Sequence, residues 1–259
     1  MGSSGTQAKG LTSFGIKIIA ICTMFIDHVG VVVIQPYLNA RVDNLSYDLS
    51  QFLNKAYNIT RSVGRMAFPL FCFMLVEGFF HTRSRWKYLL RLAIFALISE
   101  IPFNLALKRT TFTWEKQSVM VTLTLGFLML IILEALRQKE ELSDVLKSFL
   151  TLVVIAAFAI IAYYCKCDYE YKGVLMIAGI YLLYPLFNIN RFTFSACTGI
   201  MFFWEWSKTV THFPASLSPI LLCFYNGQKG RSLKYFFYLF YPLHLLLLYA
   251  VYRYVMAFC

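Results

Sequence analysis

The sequence predicts an all-α fold, a polytopic integral membrane helical bundle of about nine transmembrane helices. The 259 residues are 59% hydrophobic and only 14% charged, and the apolar runs are too long and too numerous for one soluble core to cover. Aromatic residues reach 18%. Tyr and Trp gather near the ends of runs (Tyr37, Tyr57, Trp86, Tyr88, Trp114, Tyr163, Tyr164, Trp206, Tyr225), where amphipathic rings anchor at a membrane interface.

A span needs about 20 residues to cross the hydrocarbon. Measured that way, spans fall at 13–36, 63–81, 86–107, 118–136, 145–165 and 171–187, with a last one at 233–257. The short runs 192–207 and 213–226 are candidate spans or, as a pair, a re-entrant hairpin. Residues 1–12 read as an N-terminal tail, with Met1–Gly5 a tag remnant and no signal peptide ahead of the first span. Residues 13–259 read as one transmembrane domain, because no linker or repeat divides them.

The compact basic loops Arg83-Ser-Arg85-Trp-Lys87 and Lys229-Gly-Arg231-Ser-Leu-Lys234 point to the cytoplasm by the positive-inside rule. That puts the N-terminus and the Arg137/Lys139 loop inside, and the loops 38–62, 108–117 and 166–172 outside. The net charge of +11 is dispersed over such loops instead of forming one patch, so it reads as a topology signal and nucleic acid is excluded as a partner. Cys165-x-Cys167 lacks the two-residue gap of common zinc and redox motifs, so neither a metal site nor a disulfide framework is expected.

Ionisable residues inside spans are costly and mark function by default. Lys17, Asp27, His28, Arg65, Glu77, Arg91, Glu100, Glu205 and His244 are such residues. Lys17 and His28 are the most informative pair. Eleven steps make almost three helical turns, so the two share a face about 16 Å apart. Asp27 is about 100° round the helix from His28, so it pairs with a base on another helix; Arg65 lies at a compatible depth, and the pairing leaves His28 free. Pro69, Glu77 and Gly78 mark a kinked second span, and Ser99-Glu-Ile-Pro-Phe-Asn104 repeats the pattern of acid, proline and polar end, which suggests a second wall of one cavity. His244, beside the break made by Pro242, is a structural donor or a binding residue. For Arg91, Glu134 and Arg253, near span ends, snorkelling to the interface is the expectation. The bland alternative for the whole set is buried ion pairs that hold helices together.

Several stretches combine into a resemblance: Lys17 to Gly30 with Asp27-His28; Gly64-Arg65 through Glu77-Gly78-Phe-Phe-His-Thr82; Leu89 to Phe103 with Ser99-Glu-Ile-Pro102; Asp168-Tyr169 with Gly173-Val174; and Tyr225-Asn-Gly227 followed by Lys234 to His244. Together they resemble the TraX family, conjugal-transfer membrane proteins associated with acetylation of pilin. That family is similar in turn to membrane acyltransferases such as acyltransferase family three and the lysosomal heparan glucosaminide N-acetyltransferase, which use cytoplasmic acyl-CoA to modify acceptors across the membrane. A basic residue, ten intervening positions and a histidine mark the first helix of acyltransferase family three, and Lys17 and His28 fit. Tyr241 and His244 match its final helix more loosely.

The resemblance implies a bacterial cytoplasmic-membrane acetyltransferase with acetyl-CoA as donor and a small-molecule, glycan or peptide N-terminal acceptor, working among membrane lipid. On this reading Lys17, Arg85 and Arg231 hold the phosphates of the donor. His28 acts as general base, Asp27 and Arg65 position and polarise, and Glu77, Glu100 and His244 bind the acceptor. The competing reading is a transporter or flippase that uses the same buried charges as a relay. An intramembrane protease is disfavoured by the absence of Gly-x-Ser-x-Gly and His-Glu-x-x-His.

Overall fold

Hydroxyl side chains set where the helices begin. Thr12, Ser46, Ser84 and Ser143 each accept a hydrogen bond from the amide three residues on, capping α1 (Ser13–Val29), α3 (Tyr47–Gly64), α5 (Arg85–Lys108) and α7 (Asp144–Tyr164). In this computed structural model, residues 10–41, 43–206, 214–231 and 233–258 are described, without the side chains of 204–206 and 234. Most of the tail and the side chain of Glu205 therefore lie outside what is described. The other helices are α2 (Gln35–Ala40), α4 (Ala67–His81), α6 (Val119–Arg137), α8 (Glu170–Ile189), α9 (Arg191–Trp206), α10 (Pro214–Leu217), α11 (Ile220–Cys223) and α12 (Lys234–Ala257).

Among the described residues, seven helical stretches are long and apolar enough to cross a membrane: Ser13–Ala40, Tyr47–His81, Arg85–Lys108, Val119–Arg137, Asp144–Tyr164, Glu170–Ile189 and Tyr235–Ala257. The two short candidates become α9 and the pair α10–α11, which pack on each other. At 1.5 Å per residue, the 16 residues of α9 reach only about 24 Å. The all-α membrane bundle is thus as expected, with seven long crossings and the two short candidates packed as a pair. Either count puts the two ends of the chain on opposite sides.

Loop contacts identify those two sides. At one end the N-terminal segment pairs with residues near 225, and the amides of Ser13 and Phe14 donate to the carbonyls of Gln228 (2.8 Å) and Lys229 (3.2 Å). At the other end Gln117 donates to the carbonyl of Lys166 (2.8 Å), Lys116 pairs with Asp168 (2.6 Å), and Arg41 reaches the carbonyl of Phe258 (3.3 Å). We call these the Lys17 end and the His28 end. The first span continues beyond its expected limit through a π-helical turn, Gly30–Ile34, into α2. Pro36 offers no amide to the carbonyl of Val32 four residues back, and Arg109 donates to that carbonyl at 2.9 Å.

The second span departs most from expectation. Residues 38–62 were expected as an outer loop, yet α3 begins at Tyr47 and runs to Gly64. Its exposed face carries Asp48, Gln51, Asn54, Lys55 and Asn58, and these polar side chains hide the helix from a search for unbroken apolar runs. Its opposite face packs on α1. There a Cβ on Gly64 would lie 2.1 Å from Cβ of Asp27, and one on Gly30 would lie 2.3 Å from Oγ1 of Thr60. Bare backbone at these two positions lets the helices approach this closely. Alanine within a helix normally gains about 1 kcal/mol over glycine. Gly64→Ala is expected instead to lose about 1–3 kcal/mol through overpacking, read as a lower unfolding temperature in detergent.

Residues buried on every side make α4 the central helix: eleven of its fifteen residues are buried, and it contacts α1, α6 and α8. In contrast, α7 leaves Val145, Phe149, Leu152 and Ile160 exposed, as a lipid-facing helix does. Helix α12 lies against both α1 and α5, and its contact with α1 carries the site.

Candidate functional site in the seam of α1 and α12

Lys17 and His28 turn toward the same partner helix. The Lys17 ammonium sits 5.8 Å from the ring centre of Phe237, and Nδ1 of His28 lies 2.9 Å from Nε2 of His244, both partners belonging to α12. The face shared by the two residues is therefore the one that meets α12. Between them the seam is filled by apolar groups: Ile21 and Met24 are buried, and the Phe25 ring lies 6.5 Å from Phe240 and 6.2 Å from His244.

His244 was expected either as a structural donor or as a binding residue, and its hydrogen bonds fit the first. Its Nδ1 lies 2.8 Å from the carbonyl oxygen of Phe240, one turn back on its own helix, and its Nε2 faces His28. Both ring nitrogens are engaged, so neither is left for an acceptor. The Phe240 ring stacks on His244 at 4.9 Å. Tyr241 presents an edge to His28 (6.4 Å) and to His244 (5.6 Å), and its hydroxyl meets the backbone of Val119 at the start of α6.

Asp27 does pair with a base on another helix, but the base is Arg61 and not Arg65. The guanidinium Nη1 donates to Oδ2 at 2.6 Å. The physical reason is the early start of α3, which makes Arg61 an intramembrane residue one turn ahead of Arg65. Arg65 closes α3 within electrostatic reach of Asp27 and Tyr169, and its Nε is buried without a hydrogen-bond partner among the described residues. The Tyr169 ring stacks on Phe68 at 3.6 Å.

Glu100 lies on the same side. One oxygen accepts from the amide of Ser118 at 2.9 Å, fixing the start of α6 next to the Val119 backbone that Tyr241 meets. Its other oxygen, Oδ1 of Asn104 and Oγ of Ser118 are buried without hydrogen-bond partners among the described residues. Buried acceptors of this kind call for a polar ligand or water. Ser118 and Asn104 thus join Glu100 in one polar node.

Glu77 was expected to share that cavity, and it does not. It lies one turn from the end of α4 at the Lys17 end, whereas Glu100 lies two turns from the end of α5 at the His28 end. Its two oxygens accept from the hydroxyls of Tyr184 and, at 2.7 Å, of Tyr225. Both acceptor faces are filled by protein, which makes Glu77 a clamp between α4, α8 and the segment after α11.

Arg85, expected to hold donor phosphates, leans on Glu134 and Phe79 with about a third of its side chain exposed. Its guanidinium lies 3.8 Å from Glu134 and 4.3 Å from the ring centre of Phe79. Glu134 in turn accepts from Tyr181 at 2.7 Å and is buried, so it does not snorkel. Arg231 is exposed at the Lys17 end, where Lys229 lies within electrostatic reach of Lys17. A crevice too narrow for water, lined by Pro69, Leu70, Thr198, Phe202, Ser218 and Leu222, among others, shares no residue with the histidine pair.

The profile of the TraX protein family matches residues 14–252. The chain belongs to the TraX family. A relative described as a probable fimbrial assembly protein FimC, serogroup H1, from Dichelobacter nodosus is 32% identical over 260 residues, covering 92% of this chain and 94% of its own length. No solved structure matches the chain. The stretches that resemble TraX divide between the two ends. Asp27-His28, Gly64-Arg65, Ser99 to Pro102, Asp168-Tyr169 and the His244 end of the last stretch meet at the His28 end, and Glu77 to Thr82 and Tyr225 to Gly227 build the clamp at the Lys17 end.

Sequence reasoning missed Arg61 and Ser118. Arg61 sits at the i−4 position of Arg65, where a second arginine shares its helix face, and this was the available signal. Ser118 carried none, because its part depends on where the loop before α6 folds.

Proposed function

We propose that this TraX protein is a membrane-embedded acetyltransferase that moves an acetyl group from acetyl-CoA to an amine or hydroxyl acceptor, with His28 as general base. The observation that supports this best is the common seam: an ammonium at one end and an imidazole at the other face a single helix, and the imidazole meets another imidazole instead of an ion. The Lys17 end faces the cytoplasm of a bacterial cell, where Lys17, Lys229 and Arg231 offer cations to the phosphates of the donor. Arg85, tied to Glu134, drops out of that set.

At the His28 end, His28 removes a proton from the neutral acceptor as its nitrogen or oxygen bonds to the acetyl carbon, and the thioester C–S bond breaks, the departing sulfur taking that proton from His28 so that coenzyme A leaves as the thiol. Arg65, held near the Asp27–Arg61 pair, places positive charge where the carbonyl oxygen gains electrons. Glu100 and Asn104 offer open acceptor oxygens to the N–H groups of a neutral amine, which favours an amine acceptor. The fimbrial assembly named for the relative favours a pilin-like peptide N-terminus. The rings of Phe25 and Phe240 must part for the thioester to reach His28.

Purified protein in lipid nanodiscs should bind acetyl-CoA saturably and pass labelled acetyl to a peptide amine. A protein that neither binds the donor nor transfers the label, but moves a solute across vesicles, would be a transporter. Orientation has its own test. Cys165 is exposed in the turn after α7, whereas Cys167 is fully buried and its thiol is pushed up to about 12 by burial. With Cys165 as the sole cysteine, a membrane-impermeant maleimide should label intact cells from outside. Labelling only after permeabilisation would reverse the orientation.

A further inference from the structure

We infer that His244 is a positioning residue that holds the proton of His28 on Nδ1 and its lone pair on Nε2, so that Nε2 is the atom that receives the acceptor's proton; the proton-accepting role rests on the acyl-transfer reading above. The argument starts at a carbonyl. Phe240 oxygen, 2.8 Å from Nδ1 of His244, can only accept, so that nitrogen carries the hydrogen. In a neutral ring the other nitrogen is then an acceptor.

His244 is neutral because it is only 3% exposed, is surrounded by Phe25, Phe240 and Tyr241, and has no carboxylate partner among the described residues. An unpaired imidazolium in such a place is strongly disfavoured. Nε2 of His244 therefore accepts, and the 2.9 Å contact requires Nδ1–H of His28 to donate. The lone pair of His28 is left on Nε2, on the far side of its ring.

A general base commonly needs a third group to orient it. The sequence neighbour Asp27 cannot serve, because it lies about 100° round the helix and is bound to Arg61. The task falls to α12. When His28 gains a proton its Nδ1–H keeps the same acceptor, now through a charge-assisted bond.

The test uses the full chain in nanodiscs with ¹⁵N-labelled histidine, the His28 signals being those that vanish in His28→Gln. The expected spectrum has a protonated Nδ1 and a bare Nε2 at His28, with a nitrogen–nitrogen coupling across the bond to His244. His244→Ala should abolish that coupling, return His28 toward a tautomer mixture and slow acetyl transfer about 100-fold at unchanged KM for acetyl-CoA. His244→Gln places an amide oxygen near the position of Nε2 and should restore both the Nδ1 proton and most of the rate. A proton on Nε2 of His28 in the unaltered protein, or a His244→Ala protein with the same tautomer and rate, would overturn the inference. So would a His244→Gln protein as slow as the alanine variant. Acetyl transfer that persists with the wrong tautomer counts against this inference alone; the expected tautomer without any acetyl transfer counts against the function alone.

Discussion

Replacing His28 with alanine is expected to slow acetyl transfer about 100- to 10,000-fold, the usual contribution of a positioned general base, while acetyl-CoA binding stays near its original strength. The split follows from the distance between the two ends of the seam. On the proposed reading the donor's phosphates meet Lys17 and the nearby Lys229, with Arg231 exposed at the same end, about 16 Å along α1 from His28 by helical rise. Lys17→Ala should show the opposite pattern, a raised KM for acetyl-CoA with kcat largely kept, because a phosphate contact binds ground state and transition state alike. Steady-state rates with labelled donor, paired with direct donor binding, measure both variants. A His28→Ala protein that retains full transfer removes His28 from the chemistry.

The membrane bundle was legible because lipid imposes a length and a composition on every crossing helix. Where a helix breaks that rule, legibility ended. The helix α3 carries Asp48, Asn54 and Lys55 on an exposed face, and the rule assigned its residues to a loop. Arg61 was lost with it. The shared face of Lys17 and His28 followed from helical periodicity alone, whereas the meeting of His28 and His244, 216 positions apart in sequence, depends on how α12 docks. Asp27 needed a base from another helix, and periodicity gave the requirement without its partner. Glu77 and Glu100 looked equivalent in sequence, each an acid near a proline. Their fates differ because Tyr184 and Tyr225 fold over one and the start of α6 meets the other.

The Asp27–Arg61 pair carries the second large effect. Its side chains are 17% and 18% exposed, so each charge has lost most of its water and relies on the other. Removing one partner from a buried pair costs about 3–5 kcal/mol. With this residual exposure, Asp27→Leu should fall at the lower end, near 3 kcal/mol, because it leaves Arg61 and Arg65 as like charges one helical turn apart. Leucine matches the branching of aspartate and so respects the close approach to Gly64, which keeps the effect electrostatic. Replacing both partners, Asp27→Leu with Arg61→Met, should recover most of the lost stability, since apolar pairs often substitute for buried ions without penalty. Thermal unfolding in detergent measures the three proteins. If the pair only fixes α1 against α3 and leaves His28 free, the double variant should also recover acetyl transfer. A double variant that is stable yet inactive would instead place one of these two charges at the reacting atoms.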